Sequence, residues 1–485
     1  MLSNSVESEM EGEMEMNDAR REFLKTGAKV AAAAAVPGTL RALVAPHGAT
    51  SANDRVRVGI VGLRGRGENH IRSYGALPNV EIAALCDIDD NVMSQRLAQV
   101  QKMGFQPETY VDVRKMLDNK SIDAVSIATP HQWHALIAVW AMQAGKDVYV
   151  EKPCSHNLWE GKQLVRAAAK YNRIVQHGTQ LRSLPSLIDA MQKIQQDRIL
   201  GDVYLSRGLC FKWRDTIGHT PVSPVPAGVD YDLWTGPAPS KPFTKNHFHY
   251  NWHWFWDYGN GDLGNQGIHQ LDIARWGLGP GFGFPDKISA IGGHVMFDDD
   301  QETPNILNCA FQWSRPNRKP VVLEFEVRHW ITNPEINNGV PHKTSAEPGE
   351  KAEGRLGPVE GGHNSIGNIF YGPKGYLAIN NAAGYQTFLG QEQVTGPFVP
   401  FGKEDHFANF IACVVSRRKE DLHAPIEEGH LSAGLAHLSN TSYRLGRTLH
   451  FDPKTEAVIN DEEANRLLRD ADRGYRAPFV FPESV

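Results

Sequence analysis

A chain of 485 residues with 41% hydrophobic content is long enough for two or more domains with ordinary globular cores. The net charge of -6 is spread along the chain and offers no basic run for a nucleic-acid or membrane-surface partner. Five scattered cysteines, with no Cys-x-x-Cys pair and an odd total, exclude a disulfide framework and point to folding in a reducing compartment.

In chain order, the first feature is Arg20-Arg21-Glu22-Phe23-Leu24, followed by a small-residue apolar stretch over 27–38. A twin arginine before such a stretch has the form of a twin-arginine export signal, whose machinery carries already folded proteins. The stretch falls well short of the roughly 20 residues that a bilayer-spanning helix needs. Residues 1–52 are therefore assigned to an export leader rather than a membrane anchor, and the mature protein is expected in the periplasm.

From residue 55 short apolar runs alternate with helical stretches. Strands are predicted at 56–61, 80–86, 124–128, 147–150 and 173–176, with helices at 68–76, 91–102, 134–144 and 158–170. That alternation predicts right-handed βαβ units on a parallel sheet. Residues 53–178 are accordingly a doubly wound, Rossmann-type α/β domain.

The first strand runs into Gly62-Leu63-Arg64-Gly65-Arg66-Gly67 and then a helix. Glycines at such a turn let the backbone approach a pyrophosphate while the helix N-terminus faces its charge. The spacing departs from G-x-G-x-x-G, since Arg64 stands where the second glycine belongs. Twenty residues after Gly67 comes Asp87, with Asp89 beyond it. An acid there bonds the ribose hydroxyls and repels a 2′-phosphate, which favours NAD over NADP.

After about residue 200 the texture changes to strands at 203–211, 288–295, 307–313 and 321–327. Residues 179–453 are read as an α+β domain with a large, open, mainly antiparallel sheet, closed by helices at 405–416 and 426–445. Pro- and Gly-rich stretches at 216–242 and 334–362 are long loops, and 454–485 is a C-terminal tail. An uncovered apolar sheet face is expected to pair subunits into a homo-oligomer. The dense cluster His247-Phe248-His249-Tyr250-Asn251-Trp252-His253-Trp254-Phe255-Trp256 is either core or a platform on which a sugar ring stacks, with Trp254 and Trp256 as candidates.

At Glu151-Lys152-Pro153 the chain resembles the glucose-fructose oxidoreductase and inositol dehydrogenase family (Gfo/Idh/MocA). Three further features fit: Thr129-Pro130 with His134, Gln180 with Arg182, and Gly261-Asp262-Leu263-Gly264-Asn265-Gln266-Gly267-Ile268-His269. The resemblance spans about residues 54–450. It implies NAD contacts from Thr129, Pro130, His134 and Glu151, and places Lys152 between nicotinamide and substrate. It also implies an Asp-x-x-x-His pair, of which His269 supplies the histidine while Asn265 stands at the aspartate position.

Hydride transfer from a secondary alcohol requires a group to take the hydroxyl proton. Asn265 can only orient the hydroxyl, which leaves Lys152 with a lowered pKa, or His269. Asp262 and Asp272 are candidates to orient His269. His156, His177, Gln180 and Arg182 are candidates to face the substrate cleft. The histidine clusters lack an acid at ligand spacing, so no metal is expected.

These features imply an exported NAD-dependent oxidoreductase acting on a ring hydroxyl of a sugar, cyclitol or glycoside, with the nucleotide tightly held because free NAD is scarce outside the cytoplasm. One alternative is an NAD-recycling glycosidase: oxidation acidifies the neighbouring C–H, elimination expels the aglycone, and re-reduction leaves no net redox change. Another, of a different class, is a non-catalytic sugar-binding protein.

Overall fold

The computed structural model describes residues 55–330, 365–380, 383–470, 473–482 and 485. The twin-arginine leader and the whole of the 334–362 loop lie outside the described residues.

The first domain runs β1 (Val56–Val61), α1 (Arg66–Gly75), β2 (Val80–Cys86), α2 (Asp90–Lys102), β3 (Glu108–Tyr110), α3 (Val113–Asp118), β4 (Ala124–Ile127), α4 (His131–Gln143), β5 (Asp147–Val150), α5 (Leu158–Lys170) and β6 (Val175–His177). Its six strands are parallel in the order β3-β2-β1-β4-β5-β6. The central strands are buried on both faces, which is why they read as unbroken apolar runs rather than alternating ones. Side-chain caps start three of this domain's helices, among them α3, where Asp112 accepts from the Arg114 N–H group. Asp89 accepts from the Asn91 and Val92 N–H groups at α2, and Asn157 from that of Glu160 at α5. The short β3 and α3 carry too few apolar residues to have shown a period.

The second domain begins with α6 (Pro185–Gln195), β7 (Leu205–Lys212) and α7 (Tyr231–Thr235). A π-helical turn at Leu263–Gly267 leads without a break into α8 (Ile268–Trp276). There follow β8 (Lys287–Gly293), β9 (Ile306–Arg315), β10 (Arg318–His329), β11 (Ser365–Gly372), β12 (Gly375–Asn380), β13 (Gly384–Leu389), β14 (Val394–Thr395) and β15 (Val399–Pro400). The chain closes with α9 (His406–Ser416), α10 (Ile426–Leu445), β16 (Leu449–Asp452), β17 (Ala457–Val458) and α11 (Glu462–Leu467).

The large sheet is eleven-stranded, ordered β14-β13-β12-β11-β7-β10-β9-β8-β16-β17 with β15 beside β13. All its pairings are antiparallel except β7 with β10. Helix α10 packs on α5 of the first domain, and on α8 and β8 of the second, so one core runs through both. Strand β9 and the first half of β8 alternate, with every second residue buried and those between exposed or half-exposed.

The segment after residue 454 adds β17 to the sheet edge and buries Phe479 and Phe481 in this shared core. The 216–242 stretch holds α7 and is tied to the first domain: Asp90 N–H donates to the Gly228 carbonyl at 2.8 Å and Asp230 N–H to that of Ile88 at 2.9 Å.

Candidate active site

The glycine turn lies at the C-terminal end of β1, where the strand order reverses between β1 and β4, the place where doubly wound sheets take their ligands. Gly62 has φ +79, and a Cβ on it would lie 2.7 Å from the Ala128 carbonyl oxygen. A Cβ on Gly67 would lie 1.8 Å from the Gly62 carbonyl oxygen. The odd glycine spacing thus still lets α1 press onto the turn. Leu63 N–H donates to Asp87 Oδ2 at 2.6 Å and Asp89 N–H to Asp87 Oδ1 at 3.0 Å. Burial raises the Asp87 carboxyl to about 6, against those two bonds.

Gly62, Leu63, Asp87 and Ala128 wall a cavity of about 460 Å³ that also takes in Arg64, Gly65 and Arg66, then Thr129, Pro130 and His134, together with Glu151, Lys152 and Asn265; Gly67 lies just off it. Asp89 is turned to other work, capping α2 and meeting His249 Nε2 at 2.8 Å. The opposite wall comes from the second domain: Leu233, Trp234, His249, Tyr250 and Trp252. The features needed to hold NAD are present in this wall. The glycine cradle admits a backbone approach, Asp87 is placed for ribose hydroxyls, and Thr129 Oγ1 and Arg66 Nη2 are buried without a partner.

Beneath the cavity, Glu151 Oε1 accepts from Arg66 Nε at 2.7 Å, Gln180 Nε2 at 2.9 Å and His70 Nε2 at 3.1 Å. Burial would raise this carboxyl, but Arg66 and His70 hold it well below the usual range. Burial keeps His70 neutral, so its Nε2–H donates to Glu151 and its Nδ1 accepts the Ser126 hydroxyl at 2.9 Å. His134 sets its ring nitrogens 2.6 Å from the Pro153 carbonyl and 2.7 Å from that of Thr129, bracing the Lys152 segment against the end of β4.

Lys152 Nζ donates to the main-chain carbonyl of Asn265, in the π-helical turn. Burial brings the Lys152 ammonium down to about 8; Glu151 opposes this, and Arg66 and Lys212 add to it. His269 is brought to about 3, by burial first and then by the Lys152 charge, and its Nδ1 has no hydrogen-bond partner. The Asn265 amide donates to Asp262 Oδ1 at 3.3 Å.

Several expected substrate residues stand elsewhere. Arg182 is buried in an ion-pair network with Asp272 at 2.7 Å and Glu428 at 3.0 Å. Asp272 is thereby engaged with Arg182 and Ser432 instead of His269. Asp262 meets His329 Nε2 at 2.8 Å and Arg214 Nη2 at 3.2 Å, and also leaves His269 unoriented. His156 is paired with Asp470 at 2.7 Å, on the segment read as a tail. Gln180 sits one layer down, on Tyr149 and Glu151. His177 is fully buried and lies off the cavity wall.

Trp254 is 3% exposed, packed with Trp234, Phe255 and Tyr258 as core. Trp256 lies under the Arg444 guanidinium, off the cavity wall. Within the same cluster it is Tyr250 and Trp252, rather than Trp254 and Trp256, that stand on the cavity wall. Sequence reasoning missed His131, whose edge meets Trp252 with centroids 4.7 Å apart.

Among the described residues no group of three or more His, Cys, Asp or Glu side chains is arranged to hold a metal ion. No described helix is long and apolar enough to cross a membrane.

A nucleotide groove at a strand-order switch, continued by a half-buried lysine and histidine under a second, sheet-built domain, defines a two-domain nucleotide-binding protein. The chain belongs to the Gfo/Idh/MocA oxidoreductase family. Residues 56–179 match that family's NAD-binding Rossmann fold, and residues 186–298 with 398–479 match its C-terminal alpha/beta domain.

Among curated proteins it is similar to a glycosyl hydrolase family 109 protein of Shewanella pealeana, 34% identical over 173 residues, which is 31% of this chain and 37% of that one. A second, from Shewanella putrefaciens, is 35% identical over 122 residues, 24% of this chain and 27% of that one. The match thus spans about a third of these relatives' length. Among solved structures, the WlbA dehydrogenase of Bordetella pertussis with NADH and UDP-GlcNAcA aligns with TM-score 0.57 at 18% identity, covering 82% of this chain and 99% of that one. A levoglucosan dehydrogenase with NADH aligns with TM-score 0.59 at 16% identity, covering 81% and 98%. At such identities the likeness is one of fold.

Proposed function

We propose that this protein is an exported oxidoreductase that moves a hydride between a ring hydroxyl of a carbohydrate and a tightly held NAD. The observation that carries the reading is the placement of Lys152, with its lowered pKa, on the wall of the NAD cavity and beside a neutral His269. Bound NAD supplies the hydride acceptor.

Lys152 takes the hydroxyl proton, because a group near 8 is close to working pH whereas His269, near 3, is a weak base. His269 stays neutral and offers its unpartnered Nδ1 to the substrate. Asn265 commits its amide hydrogen to Asp262, which turns its amide oxygen to accept a substrate hydroxyl. Glu151, fixed by three donors, holds the Lys152 segment in place.

Retention of the nucleotide follows from the wall contributed by the second domain. The bonds at Gly228, Asp230 and His249 clamp that wall across the end of β2. Such enclosure, with the likeness to family 109 glycosyl hydrolases, also favours the recycling glycosidase as a second reading. The five cysteines are all buried and unpaired, which supports folding before export. The aromatic row Tyr371, Tyr376 and Phe388 on the large sheet supports pairing with a second copy of this chain.

The test is absorbance at 340 nm with a panel of sugars and aryl glycosides, reading released aglycone in the same cuvette. NADH accumulating in step with substrate loss supports the dehydrogenase. Aglycone released over many turnovers without lasting NADH supports the glycosidase, and neither signal with any sugar overturns both.

A further inference from the structure

Lys212 closes β7 and lies beside the reacting groups, yet the chemistry above leaves it unused. Its Nζ donates to Gln266 Oε1 at 3.0 Å, and the Gln266 amide hydrogen is in turn committed to Gln270 at 3.2 Å, which fixes the oxygen toward the lysine. Lys152 is hydrogen-bonded to the preceding residue, Asn265. Two ammonium groups are therefore anchored on consecutive residues of one π-helical turn, close enough for the Lys212 charge to act on Lys152 and on Asp262.

Like charges so placed repel unless a negative group comes between them or beside them. The acids of the neighbourhood are already engaged: Glu151 by Arg66 and His70, Asp262 by Arg214 and His329. Among the described residues no carboxylate stands within ion-pair reach of either lysine. Lys212 is also only partly exposed, so its charge is less screened than that of a surface lysine. The turn gathers an excess of positive charge beside Lys152, and Lys212, which does not line the nucleotide cavity, has the neutral Gln266 amide as its hydrogen-bond partner.

Resting on the carbohydrate reading above, we propose that the substrate is an acidic sugar, and that Lys212 reads a carboxylate or sulfate carried on the same sugar residue as the reacting hydroxyl. An ammonium is a point charge and does not distinguish these two anions by shape. The specificity lies in the charge.

The experiment compares matched para-nitrophenyl glycosides in the gluco, galacto, manno and N-acetylhexosamine series, each as neutral sugar, uronate and sulfate ester. Binding to the NAD-loaded protein is followed by quenching of tryptophan fluorescence, and turnover is measured beside it. In the series that binds, an acidic member is expected to bind about tenfold more tightly than its neutral partner, through KM more than kcat, with the advantage shrinking as salt rises. Uronate and sulfate arms show which anion is preferred.

Lys212→Gln is expected to bring the acid-to-neutral ratio near one, and Lys212→Arg to restore it. Neutral members binding as tightly as acidic ones in the wild-type protein, or an unchanged ratio in Lys212→Gln, overturns the assignment while leaving the carbohydrate reading intact. No binding or turnover of any sugar, neutral or acidic, by protein that retains NAD overturns both.

Discussion

The side chain of Lys152 is held by the main chain of Asn265, not by its amide. Asn265 is thus joined to the lysine through a group every residue has, and its own amide is turned to Asp262. Burial is the largest influence on the lysine held there and brings its ammonium down to about 8.

Activity is therefore expected to track the deprotonation of Lys152. The rate of substrate oxidation is expected to rise with pH and level off above about 8. Asn265→Asp places a negative charge next to the ammonium, favours its charged form and should shift the rise to higher pH. A pH profile of kcat/KM for both proteins is the check. Lys152→Ala should cost at least 100-fold, the usual size of a lost general base, while NAD content stays unchanged.

Asp87 is expected to set nucleotide choice, in a pH-dependent way. Its carboxyl lies near 6, so above that pH it is charged and repels a 2′-phosphate, and below it the repulsion fades. Discrimination between NAD and NADP is expected to fall as pH drops through about 6. In Asp87→Asn it should be weak at every pH, as equilibrium dialysis with each nucleotide would show.

Gly67→Ala drives a methyl into the Gly62 carbonyl, which sits 1.8 Å from the ideal Cβ position. Both atoms are on or next to the backbone, so the turn itself must shift. The variant should purify without nucleotide, measured by the nucleotide released on denaturation. Gly65→Ala, where a Cβ meets open space at φ +45, should lose less.

Trp254 and Trp252 sit two residues apart and should behave oppositely. Trp254→Ala empties a core site and is expected to cost about 3–5 kcal/mol of stability. Trp252→Ala removes part of the cavity wall and should loosen NAD with a smaller loss of stability. Denaturant melts and nucleotide retention, measured on both, separate the roles.

His156 and Asn157 both bond Asp470, which is held well below its ordinary carboxylate pKa; burial opposes this and the His156 charge leads it. A depressed carboxyl contributes stability that is complete above its unfolded pKa, about 3.9, and is lost as pH falls toward the folded one. Asp470→Ala should lower stability by about 2–3 kcal/mol at neutral pH, and the difference from wild type should shrink in acid. Paired urea titrations at neutral and acidic pH test it.

What the sequence by itself determined is what neighbours along the chain encode. Strand, glycine turn, helix and acid follow one another from Val56 to Asp87, so period and spacing were enough to place the parallel sheet and the nucleotide groove. The bounds of α5 and α10 were legible for the same reason, since each carries its own apolar pattern and, at α5, its own cap.

Tertiary structure alone decided which side chains meet. Lys152 and Asn265 are 113 positions apart, Arg182 and Asp272 are 90, and His156 and Asp470 are 314. No local period encodes a partner at such separations. Arg182 and His156 read as substrate residues from their motifs, but burying a charge or an imidazole requires a partner, and the fold supplies one from a distant element in each case. The same holds for the aromatic cluster: a dense run with no clean period does not say which face is core, and packing against Tyr258 and Trp234 assigned Trp254 to the interior and left Trp252 on the wall.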